Sequence, residues 1–296
     1  MDRKSSVTVD LLRLGVMDTE AALAHHQRIA ETIGADPSRL TGWEHHLEMS
    51  CDPDLALDTL ADLSQRSPQL VVGLLDDDDS ACRLVRLLGA SSELGRHLVA
   101  HPDDLAEIAH DPVRRSRDEI RNDLLEVVGA HEDGEFLVAE RPTGPAADRL
   151  RLANRRHLVR IASRDVGADD PTEVVEDIAG ELADLADAVV AAALALTRAD
   201  CPDHADARLA VVAMGKCGAQ ELNYISDVDV VHVAEPARED VSAARAVDIA
   251  TKLAASVARI CSAHSGAGSI WQVDAALRPE GNAGPLVRTM DSMRTY

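Results

Sequence analysis

The 296-residue chain carries 52 acidic and 30 basic residues, for a net charge of −22, and is 46% apolar but only 2% aromatic. Such a composition excludes a disordered chain, and the length suffices for a sizeable core and two domains. The negative field disfavours nucleic acid and anionic lipid as partners, and no apolar run approaches the ~18 residues of a membrane span. Most of the acidity reads as solvated helix faces. The opening Met1-Asp-Arg-Lys-Ser-Ser lacks the apolar segment that follows in a signal peptide.

Up to about residue 200 the periodicity predicts helices. Leu57, Leu60 and Leu63 recur at helical spacing after Asp54 and stop near Ser67-Pro68. Pro68 suits the first position of the next helix, with Ser67 as its cap. Leu70, Val71, Leu74 and Leu75 stripe that helix, and Ser80 offers a cap for a third, carrying Leu84, Leu87 and Leu88. The run Asp76 to Asp79 reads as a solvated turn at the positive end of that third helix. His101-Pro102 opens another helix; Ile120, Leu124, Val127 and Val128 stripe the next, and Leu150, Leu158 and Ile161 one more. Residues 129–148, with three glycines and two prolines, read as a loop. The plainest helix is 173–198, where Ile178, Leu182, Leu185, Val189 and Leu196 share a face. His25-His26 and His45-His46 receive no ligand role, because adjacent histidines on a helix diverge and neither stretch matches His-Glu-x-x-His.

Near residue 205 the period changes from 3.6 to 2. Leu209 to Met214 and Val228 to Val233 are short β-branched runs bounded by turn signals, hence strands. Gly268 to Leu277 reads as a third strand, with Gln272, Asp274 and Ala276 on one face and Trp271, Val273 and Leu277 on the other. Ile249, Leu253, Val257 and Ile260 mark the helix before it, and Pro285 to Thr289 reads as a fourth strand. Strands are expected only in this later part.

The chemistry concentrates where the strands begin. Asp227 and Asp229 lie two apart on a strand and point the same way. Paired carboxylates repel unless a cation lies between them. The upstream turn with Gly215 and Gly218 offers backbone N–H groups to a phosphate, and Asp274 adds a third carboxylate. An isolated Asp-x-Asp is weak evidence, but with the glycine turn and Asp274 the set suits divalent-metal phosphoryl or nucleotidyl transfer. Lys216 faces a nucleotide phosphate or solvent, and Arg278 pairs with phosphate or with Glu280. Ser226 stands on the phosphate side of the site and, with Glu221 and Asn223, shapes the turn. Cys217 fills the turn as a small residue. The five cysteines, Cys51, Cys82, Cys201, Cys217 and Cys261, form no Cys-x-x-Cys pair and fit reduced thiols in a cytoplasmic protein.

Glycine loop, paired aspartates and a distal aspartate are the pattern of polymerase β-like nucleotidyltransferases. More narrowly, Met214-Gly-Lys-Cys-Gly-Ala-Gln-Glu-Leu-Asn-Tyr-Ile-Ser-Asp-Val-Asp229 and Asp274-Ala-Ala-Leu-Arg-Pro-Glu-Gly-Asn-Ala-Gly-Pro-Leu-Val287 resemble the bifunctional glutamine synthetase adenylyltransferase/adenylyl-removing enzymes. Arg155 to Asp165 resembles that family's helical lead-in. The resemblance is strong over residues 150–296 and diffuse before. Ala219 stands where the family usually has a second glycine, which leaves the backbone shape of the loop open.

The resemblance implies an α+β architecture: a helical lead-in domain over 1–200, then a small mixed-sheet nucleotidyltransferase domain over 201–296, incomplete at its C-terminal end. It implies two Mg²⁺ or Mn²⁺ ions held by Asp227, Asp229 and Asp274. It also implies ATP, ADP and inorganic phosphate as small-molecule partners, a glutamine synthetase tyrosine as the acceptor, and a PII-type nitrogen-signalling protein as a regulator. One motif set behind about 200 helical residues resembles the N-terminal, adenylyl-removing half of a longer chain. The alternatives are another polymerase β-like nucleotidyltransferase, acting on a different substrate, and a non-catalytic module that docks on glutamine synthetase.

Overall fold

A computed structural model describes residues 3–109 and 112–296; Met1, Asp2, His110 and Asp111 lie outside it, and with them that small part of the expected helical domain. The chain clusters into two compact units, Met1–Val113 with Arg155–Val174, and Arg114–Asn154 with Val175–Tyr296.

The first unit is helical. In chain order it holds α1 (Arg3–Arg13), α2 (Thr19–Ile33), a 3₁₀ turn (Trp43–Met49), α3 (Pro53–Arg66), α4 (Pro68–Leu75), α5 (Asp78–Ala90) and α6 (Ser92–Ala100). A second 3₁₀ turn, Pro102–Leu105, then runs into α7 (Ala106–Ala109). Its core is mainly aliphatic, as a chain poor in aromatics requires, and Leu57, Leu60, Leu63, Leu84, Leu87 and Leu88 are all buried. Within the α4 stripe, Val71 and Leu74 are buried but Leu70 is exposed. The caps differ in part from expectation. Asp52 caps α3 by accepting from the Leu55 N–H. Ser67 stands at the cap of α4 without a side-chain bond. Asp77, not Ser80, caps α5, so Asp78 and Asp79 fall in its first turn, near the positive end of the helix dipole. Ser80 is buried one turn in, and its Oγ donates to the Ala109 carbonyl.

The second unit begins with α8 (Arg117–Val127), opened by a capping box of Ser116 and Glu119. Strands then appear earlier than the sequence reading expects. β1 (His131–Asp133) and β2 (Phe136–Val138) form an antiparallel hairpin inside the segment read as a loop. The signal is Asp133-Gly134: Gly134 opens the two-residue connection at φ 62, the positive-φ geometry that favours hairpin turns. The two long helices α9 (Thr143–Gly167) and α10 (Pro171–Ala199) follow, and the division between the units falls inside both. The expected face of α10, Ile178, Leu182, Leu185, Val189 and Leu196, is buried throughout.

The remaining elements are β3 (Ala207–Ala213), a single turn α11 (Gly215–Gly218), β4 (Val228–Pro236), α12 (Ala243–Ser262), β5 (Val273–Asp274), β6 (Val287–Thr289) and α13 (Met290–Thr295). β4 is the hub of the mixed sheet. It pairs antiparallel with β3, and parallel with β5 near its start and with β6 further along. The parallel partners return through α12, whose Ile249, Leu253 and Val257 are buried. β5 is far shorter than the predicted strand. Asp274 Oδ1 accepts the Ala276 N–H at 2.8 Å, a local bond that turns the chain out of the ladder and leaves Leu277 exposed. No helix among the described residues is long and apolar enough to cross a membrane.

Candidate active site

The site forms where β3 ends. The Met214 N–H bonds the Asp229 carbonyl at 2.8 Å, and the chain then makes the α11 turn beside the start of β4. Gly215 has φ 52, and a Cβ there would run into Asp229 Oδ2, with Asp229 Cγ only 3.2 Å away. A Cβ on Gly218 would meet the Ala213 carbonyl oxygen at 2.5 Å. The two glycines therefore let the turn lie directly against the strand ends and against the Asp229 carboxylate. Ala219 closes the turn in the right-handed region, at φ −84, so the backbone there does not require the glycine that the resemblance leads one to expect. Left-handed backbone falls instead on Gln220, at φ 62. As in any helical turn, the first amides of α11 have no partner within the turn.

Asp227 is the residue just before β4 and Asp229 the second residue within it, and the parallel ladder aligns Asp229 with Asp274 across β4 and β5. One carboxylate oxygen from each of Asp227, Asp229 and Asp274 lies within 4.8 Å of the other two. Asp227 is exposed and the other two are half-buried. Burial, then the charges of Asp227 and Asp274, push the Asp229 carboxyl above its ordinary range, with Lys216 opposing them. The three converging carboxylates form an all-oxygen donor set suited to a hard divalent cation such as Mg²⁺ or Mn²⁺.

The surrounding residues divide into those aimed at the site and those that build it. Lys216 Nζ donates to Ser226 Oγ at 3.0 Å, so these two phosphate-side candidates are in contact. Arg278 is turned inward. Its Nη1 donates to the Ala275 carbonyl at 2.7 Å and to Asn282 Oδ1 at 3.3 Å, and its Nε donates to the Gly284 carbonyl at 3.3 Å. The guanidinium thus braces the loop that leaves Asp274. Glu280, the other partner considered for it, pairs with Arg288 at 2.7 Å. Asn223 accepts from the Ile225 N–H. Trp271 Nε1 reaches the Tyr224 carbonyl at 3.4 Å, and the Val228 N–H reaches the Gln272 carbonyl at 2.8 Å. Together they fasten the segment before Asp227 to the one before Asp274. Cys217 is buried, and burial followed by nearby aspartates pushes its thiol up to about 11, so it stays protonated and fills space.

The sequence reading missed His232. It is buried on β4 with neither ring nitrogen hydrogen-bonded, and burial, then the Arg278 charge, pushes it down to about 4. The signal was there: a lone polar residue within Val-Val-His-Val-Ala. A cavity of about 410 Å³ in this unit is lined by Val211, Ala213, Val228 and Val230 with Arg117 and Arg121. On β4 its lining alternates with the aspartates, so it opens on the face opposite the carboxylates.

Comparison with known proteins identifies the family. The profile of the glutamate-ammonia ligase adenylyltransferase family matches residues 81–296. The whole chain is 80% identical to part of a bifunctional glutamine synthetase adenylyltransferase/adenylyl-removing enzyme of Cutibacterium acnes, covering 30% of that protein. It is 43% identical over 99% of its length to the enzyme of that name from Streptomyces coelicolor, and 36% identical over 98% to one from Bifidobacterium longum. It spans 28% of each of those two, and so under a third of these curated relatives. With the profile covering well over half its residues, the chain belongs to the glutamate-ammonia ligase adenylyltransferase family.

Proposed function

We propose that this chain carries an adenylyl-removing nucleotidyltransferase site acting on a glutamine synthetase tyrosine in the cytoplasm, where its five free cysteines stay reduced. The observation that carries the reading is the convergence of Asp227, Asp229 and Asp274 beside a glycine turn packed against Asp229. The three aspartates would hold two divalent ions, Mg²⁺ or Mn²⁺. When bound, such ions supply charge neutralisation for the phosphoryl oxygens and the leaving group. The first amides of α11 and the Lys216 ammonium bind the phosphate, with Ser226 positioning Lys216. Arg278 acts on the reaction by holding the loop behind Asp274.

In removal, inorganic phosphate attacks the α-phosphorus of the adenylyl-tyrosine; the P–O bond to tyrosine breaks, and ADP leaves. In transfer, the tyrosine oxygen attacks ATP and pyrophosphate leaves. One arrangement of side chains serves both, so the choice of removal rests on the resemblance of the helical lead-in. Adenylylated glutamine synthetase incubated with this chain, Mg²⁺ and phosphate should yield ADP, and Asp229→Asn should abolish it. Binding without ADP would identify a docking module instead. ADP formation from another nucleotidylated substrate, but not from this one, would point to a different member of the fold. Stimulation by a PII-type protein, added to the same assay, tests the regulator.

A further inference from the structure

A second convergence of donors lies in the helical unit, far along the sequence from the aspartates. His45 and His46 sit on the 3₁₀ turn Trp43–Met49, and Asp78 is the first residue of α5. One ligand atom from each lies within 4.8 Å of the other two. The sequence argument against the pair was divergence, yet the rings stand 3.8 Å apart between centroids. His46 Nε2 is 3.0 Å from Asp78 Oδ1 and His45 Nε2 is 3.7 Å from the same oxygen. A tetrahedral ion with bonds of ~2.0–2.2 Å separates its ligand atoms by about 3.4 Å, and the two distances bracket that value.

A hydrogen bond to Asp78 needs only His46. His45 is brought in by a separate device: its Nδ1 is hydrogen-bonded to the Gly42 carbonyl. A carbonyl only accepts, so Nδ1 carries the proton, and it is the Nε2 side of the ring, the side with the lone pair in the neutral form, that faces Asp78. Metal-ligating histidines are commonly fixed in this way, with the non-ligating N–H on a backbone carbonyl. The surroundings suit a cation. Asp78 follows Asp76 and Asp77 and precedes Asp79. Arg86 brings an opposing charge towards His46, but its Nη1 is turned onto the Val166 carbonyl. Asp78 and His45 are exposed, which leaves the site an entry path, while His46 is buried at 6% exposure and anchors it.

We propose that His45, His46 and Asp78 bind a divalent transition-metal ion of the zinc type, with solvent in the remaining position. Two imidazoles and one carboxylate suit such an ion, and disfavour Mg²⁺, which prefers oxygen donors alone. The ion would pin the 3₁₀ turn to the start of α5 and so stabilise the helical unit.

The test titrates the intact 296-residue chain with Zn²⁺ in the presence of excess Mg²⁺, added to compete for the carboxylates of Asp227, Asp229 and Asp274. Calorimetry should show one Zn²⁺ equivalent that raises the melting temperature, and Co²⁺ in its place should give the visible spectrum of a nitrogen-ligated ion. His45→Ala, at an exposed position that leaves the core intact, and Asp78→Asn should each lose that band and weaken Zn²⁺ by roughly tenfold or more. Asp229→Asn should keep both. Absence of a Zn²⁺ equivalent in the unmutated chain, or equal binding by His45→Ala, would overturn the proposal and leave a plain His46–Asp78 hydrogen bond.

Discussion

Gly215→Ala tests whether the glycine turn exists to admit the Asp229 carboxylate. Two costs follow from the structure. At φ 52 an alanine sits in the left-handed region, which costs roughly 1–2 kcal/mol. The added Cβ also invades Asp229 Oδ2, so the carboxylate must retreat by on the order of 1 Å to restore ordinary contact. Metal–ligand distances tolerate only about 0.2 Å, so the second cost falls on metal binding. The expected loss in Mn²⁺ affinity is at least tenfold, about 1.4 kcal/mol, on top of the modest loss in fold stability. Calorimetric titration with Mn²⁺ measures the first, and urea unfolding without metal measures the second. Mn²⁺ affinity within twofold of the parent chain would refute the argument. So would a metal-free destabilisation well above ~2 kcal/mol, which would make Gly215 a folding residue rather than a site residue.

Three further outcomes follow from the same unit. Asp229→Asn removes a half-buried charge that Asp227 and Asp274 oppose, so metal-free stability should hold or rise while ADP formation falls by orders of magnitude; a large loss of metal-free stability would mark a structural aspartate. His232 stays neutral in the fold down to about pH 4, whereas unfolded histidine takes a proton below 6.5. Its folded value is depressed, so its contribution is intact above about pH 6.5 and is lost as pH falls towards 4, by about 3 kcal/mol at most. His232→Leu should flatten the acid side of the stability curve measured by urea titration between pH 7 and 4.5, and an unchanged slope would remove His232 as the cause. Arg278→Gln should free the 275–284 loop, seen as faster amide exchange there and weaker Mn²⁺ binding; unchanged exchange would mean that its three bonds do not order the loop.

What the sequence made legible was periodic or local. The α10 face and the leucines of α3 and α5 follow from a 3.6-residue repeat, and the two-residue spacing of Asp227 and Asp229 anticipates their convergence, although β4 begins only at Val228. The β1–β2 hairpin escaped because each strand has only three residues and β1, His-Glu-Asp, is exposed throughout, so no alternation could show. Arg278 was illegible for another reason. Its partners are mainly backbone carbonyls, and carbonyls carry no residue-type signal until the loop is folded. The His45–His46 contact escaped because backbone directions do diverge. The imidazoles are long enough to swing together when Gly42 and Asp78 pull on them.

The arrangement of the aspartates also explains why so short a strand suffices for the third carboxylate. Neighbouring strands lie about 4.8 Å apart, so a residue in register with Asp229 on a paired strand must bring its side chain to that spacing. β5 needs only Val273 and Asp274 in the ladder to achieve this, and the bond from the Ala276 N–H to Asp274 Oδ1 then ends the strand and orients the carboxylate in one step. Precision is supplied from outside β5, by Trp271 and the Gln272 carbonyl before it and by the Arg278 brace after it. The cost is electrostatic: burial and two like charges act together on Asp229, opposed by Lys216. A sheet that needed Asp229 only for stability would gain by neutralising it. A site that holds cations gains by keeping it charged and close, and the glycine at 215 permits that closeness.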